Sequence, residues 1–393
     1  FGQDFYATRQ PYHNWAHPEK RLRVGHVSGD YNFHSAAIAF VSTITNYSSA
    51  IEPVFYSTLE RTSYDYRTKM WQAKYGPAFV DVSEMPAAML ANTIREDRID
   101  ILVDLSGFTN RNRLCTFAAH PAPIQIQAWG YVLGTHSPAI DVVFADPIVA
   151  TPEIRAQLRE RIVELPSLLG YMPRPDLPPP SPLPCLTEGR VVFSVFQRAM
   201  KISPANIEDW VAILARVPES IIRFKGGDYH PATRTRIADL FGAYRSRITF
   251  DYNTDHHEHM LWYQNVDLAL DTSPQAGGVS TLEALDRGVP TITWLGPRMI
   301  QRSSGSFMTL VGFAEECVAH SRQEYIDKAV ALVTTNRDRL AEMRATAQQR
   351  MQNSPIMKGY VEAVEKAYRM LWREYCQSVN ATEKRQDSNT KLM

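Results

Sequence analysis

The chain has 393 residues, of which 44% are hydrophobic, and Lys plus Arg balance Asp plus Glu at 42 each. That length admits two domains, each with its own core, and the even charge argues against a nucleic-acid or membrane-surface partner. No apolar run approaches the ~18 residues of a spanning helix, and Cys115, Cys185, Cys317 and Cys376 are scattered without metal-ligand spacing, as expected for reduced thiols in a cytoplasm.

Residues 1–20 are polar and aromatic, with Pro11 and Pro18, and read as a lead-in. They carry no charged segment followed by an apolar core, so no signal peptide is expected. The first residue is Phe1, not Met, which we read as a cut from a longer chain. A first α/β series is expected over residues 21–172. Its strands are Leu22–Ser28, Ile51–Tyr56, Ala78–Val82, Ile99–Leu105, Pro123–Trp129 and Val142–Ala145, with helices near 36–45, 64–73 and 87–97. The almost wholly apolar IDILVDL is what a central parallel strand requires. Strands alternating with helices predict a parallel sheet.

Residues 173–189 (PRPDLPPPSPLPCLTEG) break the pattern, because so many prolines favour extended backbone, and they read as an interdomain linker. A second series over 190–376 is expected to supply strands near Val191–Phe196, Ile221–Lys225, Ile248–Tyr252, Leu268–Leu270 and Thr291–Leu295. Helices are expected near 206–216, 231–244, 323–352 and 361–375, with a polar, disordered tail over 377–393. Two Rossmann-like lobes facing a central cleft would hold a ligand near the carboxyl ends of their strands.

The stretch Leu268–Gly296 is the most telling: strand, glycine loop, helix, strand. Gly277 and Gly278 let a ligand approach the backbone, and the first-turn N–H groups of the following helix suit a phosphate. Glu283, one turn on, has the reach to accept hydrogen bonds from a ribose. A tight turn without a ligand is the other reading of the same glycines.

From about Arg9 to Tyr375 the chain resembles the O-GlcNAc transferase family, protein glycosyltransferases of GT-B fold. The matching blocks, in order, are LRVGHVSGDYNFHS, ILVDLSGFTNRNR, HPAPIQIQAWGYVLGT, FQRAMKISPANIEDWVAILARVPES, LALDTSPQAGGVSTLEALDRGVPTITW and SPIMKGYVEAVEKAYRMLW. The resemblance implies an inverting transfer of a sugar, GlcNAc first among candidates, from a UDP-sugar to Ser or Thr of a protein acceptor. Lys201 matches the family's diphosphate-binding lysine, with a helix-leading solvated lysine as the other reading. Arg198 stands where the family has Gln or Asn, and is a second phosphate contact or a solvent-facing side chain.

His34 matches the family's histidine beside donor and acceptor, and is the candidate base or acceptor orienter, although a pyrophosphate oxygen is an alternative proton acceptor. Asp104, ending its strand, is a candidate orienter or a loop cap. Val279 and Ser280 are expected at phosphate and Glu283 at ribose, in place of the family's Asp. His259 is expected against uracil, and Arg302 and the Gly134-Thr135 loop at donor- and acceptor-side loops. Gly278-Val279-Ser280 replaces the family's His-Thr-Thr, which opens the sugar's identity.

No Asp-x-Asp pair is present, and His256, His257 and His259 lack a partner set for zinc, so neither metal nor other cofactor is expected. Alternatives are UDP-glucose as donor, an Asn or small-molecule acceptor, a UDP-sugar epimerase, or a decayed transferase that only binds nucleotide. An NAD-dependent oxidoreductase is disfavoured, since Gly25 and Gly29 are the only glycines near the first strand.

Overall fold

The computed structural model describes residues 10–172, 176–252 and 254–390. The chain divides into two compact units, residues 1–170 with 359–393, and residues 171–358.

In the first unit, seven parallel strands line up as β3-β2-β1-β4-β5-β6-β7. These are β1 (Leu22–Ser28), β2 (Ile51–Ser57), β3 (Phe79–Asp81), β4 (Ile101–Asp104), β5 (Ile124–Gln127), β6 (Val142–Ala145) and β7 (Arg161–Glu164). Val24 of β1 aligns with Ile101 of β4, and Leu22 aligns with Ile51 of β2. Every residue of β4, β5 and β6 is buried, as strands covered on both faces must be. The Tyr66–Tyr75 helix starts at Asp65, whose carboxylate accepts from the N–H of Arg67 and of Thr68 in a capping box.

The last helix, Tyr360–Thr390, belongs to this first unit. Tyr360, Tyr368 and Trp372 are fully buried, the kind of large aromatic surface that dominates a core. The Trp129 indole N–H donates to the Tyr360 hydroxyl at 2.9 Å, and the Tyr47 and Tyr368 hydroxyls are 3.1 Å apart. Trp372 Nε1 donates to the His17 carbonyl and Arg369 to that of Pro18, so residues 10–20 are fastened here.

Three expectations are corrected by this helix. It does not close the second series, its backbone stays helical through 377–390 where disorder was expected, and the lead-in it holds is part of the unit's packing. Residues 1–9 and 391–393 lie outside the described residues.

The second unit repeats the design with six parallel strands in the order β10-β9-β8-β11-β12-β13. They are β8 (Val192–Val195), β9 (Ile221–Lys225), β10 (Ile248–Asp251), β11 (Leu268–Leu270), β12 (Thr291–Trp294) and β13 (Val318–Ala319). The Pro204–Arg216 helix opens with Ser203 and Asn206 in a capping box and Pro204 in its first turn. The helix expected as one over 323–352 is two, Arg322–Thr334 and Arg337–Asn353. The break falls where Thr335 and Asn336 both donate backbone N–H groups to the Ala331 carbonyl.

Part of the expected linker, residues 173–175, lies outside the described residues. The rest is strapped onto the second unit: Leu177, Leu183 and Cys185 are buried, and a short helix spans Cys185–Glu188. The Cys185 N–H donates to Asp267 at 2.8 Å, and the buried Arg344 donates to the Ser181 carbonyl and hydroxyl. Arg344 also packs Gly288, whose φ of +75° and 2.7 Å gap between a would-be Cβ and the Arg344 carbonyl leave no room for a side chain.

Candidate active site

A doubly wound sheet opens a crevice where its strand order reverses, at the carboxyl ends of the two strands that diverge. In the second unit those strands are β8 and β11, which run into Gln197 and Asp271.

Asp271 organises the loop that follows β11. One carboxylate oxygen accepts from the backbone N–H groups of Thr272 (2.9 Å) and Gly277 (2.8 Å), and the other from the Thr293 hydroxyl (2.7 Å). Burial raises its pKa against those hydrogen bonds and the charge of Lys201. The loop is thereby folded back so that Gly277 and Gly278 lead into the Val279–Asp286 helix. Ser303 and Ser304 donate their hydroxyls to the Gly277 carbonyl at 2.6 and 3.1 Å, fixing the turn from the other side.

Lys201 sits in this loop's reach. Its ammonium donates to Gln197 Oε1 and to the Ala276 carbonyl, both at 3.2 Å. Burial lowers its pKa, Asp271 opposes that, and the charge of Arg198 adds to it. Gln197, itself buried, stands with Nε2 3.5 Å from Asp271. An amide thus joins the cation to the carboxylate that shapes the loop.

The helix's first turn carries no side-chain cap, since its capping residue is Gly278. First-turn N–H groups without intrahelical partners are donors for an anion. Around Gly278 a would-be Cβ meets nothing within 4 Å, whereas at Gly277 it would stand 2.4 Å from the Thr281 hydroxyl and 2.6 Å from Gln197 Nε2.

Farther along the helix, Glu283 is buried and its carboxylate is held by imidazoles. His256 Nε2 lies 2.6 Å from one oxygen and His259 Nε2 3.8 Å from the other. Burial alone would push the Glu283 carboxyl up, yet the two histidines hold it down to about 2. The His259 ring also packs against Phe196 and Tyr263, at centroid distances of 5.7 and 5.6 Å. Tyr263 donates its hydroxyl to the Ser280 carbonyl at 3.3 Å, tying this aromatic group to the helix start.

Of the residues expected here, Lys201, Gly277, Gly278, Val279, Ser280, Glu283 and His259 are gathered on and around one helix. Glu283, expected at ribose, has its carboxylate against His256 and His259. Arg198 is exposed and stands 3.8 Å from Asp228. Arg302 donates to the Gly296 carbonyl at 2.9 Å. Gln197, Asp271, Ser303 and Ser304 were not singled out from the sequence. Asp271 had a signal, a carboxylate directly after a buried apolar strand, and Gln197 precedes Lys201 by one helical turn's spacing.

In the first unit, His34 caps the Ser35–Ile44 helix, its Nδ1 accepting from the Ala36 N–H at 3.2 Å. The same nitrogen lies 3.5 Å from an Asp30 carboxylate oxygen, and the ring is half exposed. Asp104, fully buried at the end of β4, accepts from the N–H groups of Ser106 (3.0 Å) and Gly107 (2.9 Å). Its recorded contacts are therefore those of a loop cap, and burial pushes its carboxyl up to about 6. Thr135, in the Gly134-Thr135 loop, is buried and donates to Glu160 at 2.9 Å. No group of three His, Cys, Asp or Glu side chains suited to a metal ion occurs among the described residues, and no described helix is long and apolar enough to cross a membrane.

Two doubly wound parallel units in one chain define the GT-B class of α/β folds. The chain belongs to glycosyl transferase family 41, whose sequence profile matches residues 6–172 and 184–364. It is 32% identical over 391 residues to the probable UDP-N-acetylglucosamine–peptide N-acetylglucosaminyltransferase SPINDLY of Petunia hybrida, covering 96% of this chain and 42% of that protein. To the probable UDP-N-acetylglucosamine–peptide N-acetylglucosaminyltransferase SEC of Arabidopsis thaliana it is 28% identical over 374 residues, covering 91% and 38%. Among solved structures, a mutant O-GlcNAc transferase of Thermobaculum terrenum superposes with a TM-score of 0.86 at 30% identity, over 93% of this chain and 70% of that one. The chain spans about two fifths of the length of the curated relatives it matches, 42% for the Petunia hybrida protein.

Proposed function

We propose that this chain is the catalytic region of an inverting, metal-independent glycosyltransferase that moves GlcNAc from UDP-GlcNAc to Ser or Thr of proteins. The observation that carries this reading is the Lys201 ammonium, held by Gln197 and the Ala276 carbonyl beside an uncapped helix start. In the reaction the acceptor oxygen forms a bond to the anomeric carbon as the bond to the diphosphate oxygen breaks. The electron pair leaves on the diphosphate, and the acceptor's proton passes to a base. Lys201 and the first-turn amides of Val279 and Ser280 stabilise that departing charge, the task a metal ion performs elsewhere. Arg198 adds positive charge from its exposed position. His259, steadied by Glu283, is assigned to the uracil, and His34 to the acceptor's proton. The reaction needs no cofactor. Four free thiols support a cytoplasmic setting, with a protein acceptor and no nucleic-acid partner.

A second reading keeps the chemistry and changes the sugar, and the open space around Gly278 favours it. One donor screen decides between them. UDP-GlcNAc, UDP-glucose and a purine-nucleotide sugar are each incubated with a Ser-containing peptide, with and without EDTA, and the peptide's mass is followed. A HexNAc mass shift from UDP-GlcNAc is expected. Transfer of another sugar supports the second reading, arrest by EDTA contradicts the metal-free route, and UDP binding without any transfer marks a module that only binds.

A further inference from the structure

In the first unit, the Ser35–Ile44 and Tyr66–Tyr75 helices leave a groove of about 750 Å³ between them. Ala37, Val41, Trp71 and Tyr75 make its lining apolar, and at its edge Tyr66 is 60% and Met70 64% exposed. Single exposed apolar residues are ordinary, but a contiguous apolar groove marks a surface that something covers.

Its charge says what kind of partner fits. The Arg67 guanidinium lies 4.7 Å from the Phe33 ring centroid and 5.9 Å from that of Tyr66, and the Lys74 ammonium 5.0 Å from that of Tyr75. Both cations line the groove, no carboxylate does, and neither has an ion pair among the described residues. A cation lying on an aromatic face keeps N–H groups for a carboxylate, so the groove pairs apolar lining with unanswered positive charge.

Its position says which partner. Asn32 lines the groove, and His34 caps the helix that forms one wall. We propose that this groove receives the acceptor polypeptide, through a segment of mixed acidic and apolar side chains adjoining the hydroxyl that is glycosylated. The proposal rests on the transferase reading for its partner, and helix-lined apolar grooves are an established way of holding peptide side chains.

The test uses two fluorescein-labelled peptides centred on Ser, one flanked by Glu and Leu and the other with Lys in place of each Glu. Fluorescence anisotropy reads binding to the chain without turnover, and UDP release from UDP-GlcNAc reads the transferase activity separately. We expect the acidic peptide to bind about tenfold or more tightly than its basic counterpart at low salt, and the preference to shrink as salt is raised. An Arg67→Glu/Lys74→Glu double variant with an unchanged melting temperature should lose or reverse that preference. Equal binding of the two peptides, or a preference the double variant retains, overturns the proposal. So does light scattering that shows an oligomer dissociated by Met70→Glu with peptide affinity intact, since the groove is then a contact between copies. Peptide preference without UDP release supports the groove and sinks the transferase reading alone.

Discussion

His256 holds Glu283: its Nε2 lies 2.6 Å from a carboxylate oxygen that is buried inside the helix proposed to receive the diphosphate. With its pKa at about 2 against an ordinary 4.5, the folded protein favours the ionised form. The contact therefore stabilises the fold fully above pH 4.5, and that contribution is lost as pH falls from about 4.5 through 2. Glu283→Gln should cost about 1–3 kcal/mol near neutrality, and the gap should narrow across that acid window. Urea unfolding of both proteins from pH 6 down to 3 measures it; a constant gap would mean the histidines do not see the charge.

Lys201→Met is expected to lower kcat for transfer about 10²–10³-fold, because departing negative charge loses its fixed cation. Gln197→Ala removes one of the two acceptors that hold the ammonium, and a fall of about tenfold in kcat with a smaller change in donor KM is expected. Steady-state kinetics over a range of UDP-GlcNAc gives both numbers. An undiminished kcat in the Met variant would remove Lys201 from the mechanism.

Neighbouring glycines should respond in opposite ways. Gly277→Ala drives a methyl to within 2.4 Å of Thr281 and 2.6 Å of Gln197, and a loss of about 1–3 kcal/mol is expected from such overpacking. Gly278→Ala has free space and should melt like the parent protein. Thermal unfolding of the pair checks the contrast, and equal melting temperatures would contradict the loop geometry described here.

The two contacts of His34 Nδ1 ask for opposite tautomers. Accepting from Ala36 leaves the proton on Nε2, whereas donating to Asp30 frees Nε2 to take a proton. If His34 is the base, Asp30→Ala should lower kcat by about 10²-fold while donor KM holds. A kcat that survives this change would return the acceptor's proton to the diphosphate.

What the sequence disclosed follows from how locally each feature is encoded. The central strands β4, β8 and β11 are short, mostly apolar runs bounded by turn residues, and such runs need no distant partner to be seen. Of the edge strands, β3 and β10 were legible, whereas β7 (RIVE) is half polar and β13 has only two residues. The break between the Arg322–Thr334 and Arg337–Asn353 helices uses neither Gly nor Pro, so periodicity ran through it. Lys201 was legible from its block, but its hold on the Ala276 carbonyl, 75 positions away, was not. The contact of Glu283 with His256 was not legible, because His256 arrives from a different helix.

The place of the final helix bears on how the molecule comes into being. Trp129, Tyr47 and the His17 carbonyl wait for partners at Tyr360, Tyr368 and Trp372, more than 200 positions downstream. During synthesis every residue of the second unit leaves the ribosome before those partners do. The half made first is thus the half finished last, and a nascent chain halted short of Tyr360 would carry a complete second unit beside an unsealed first.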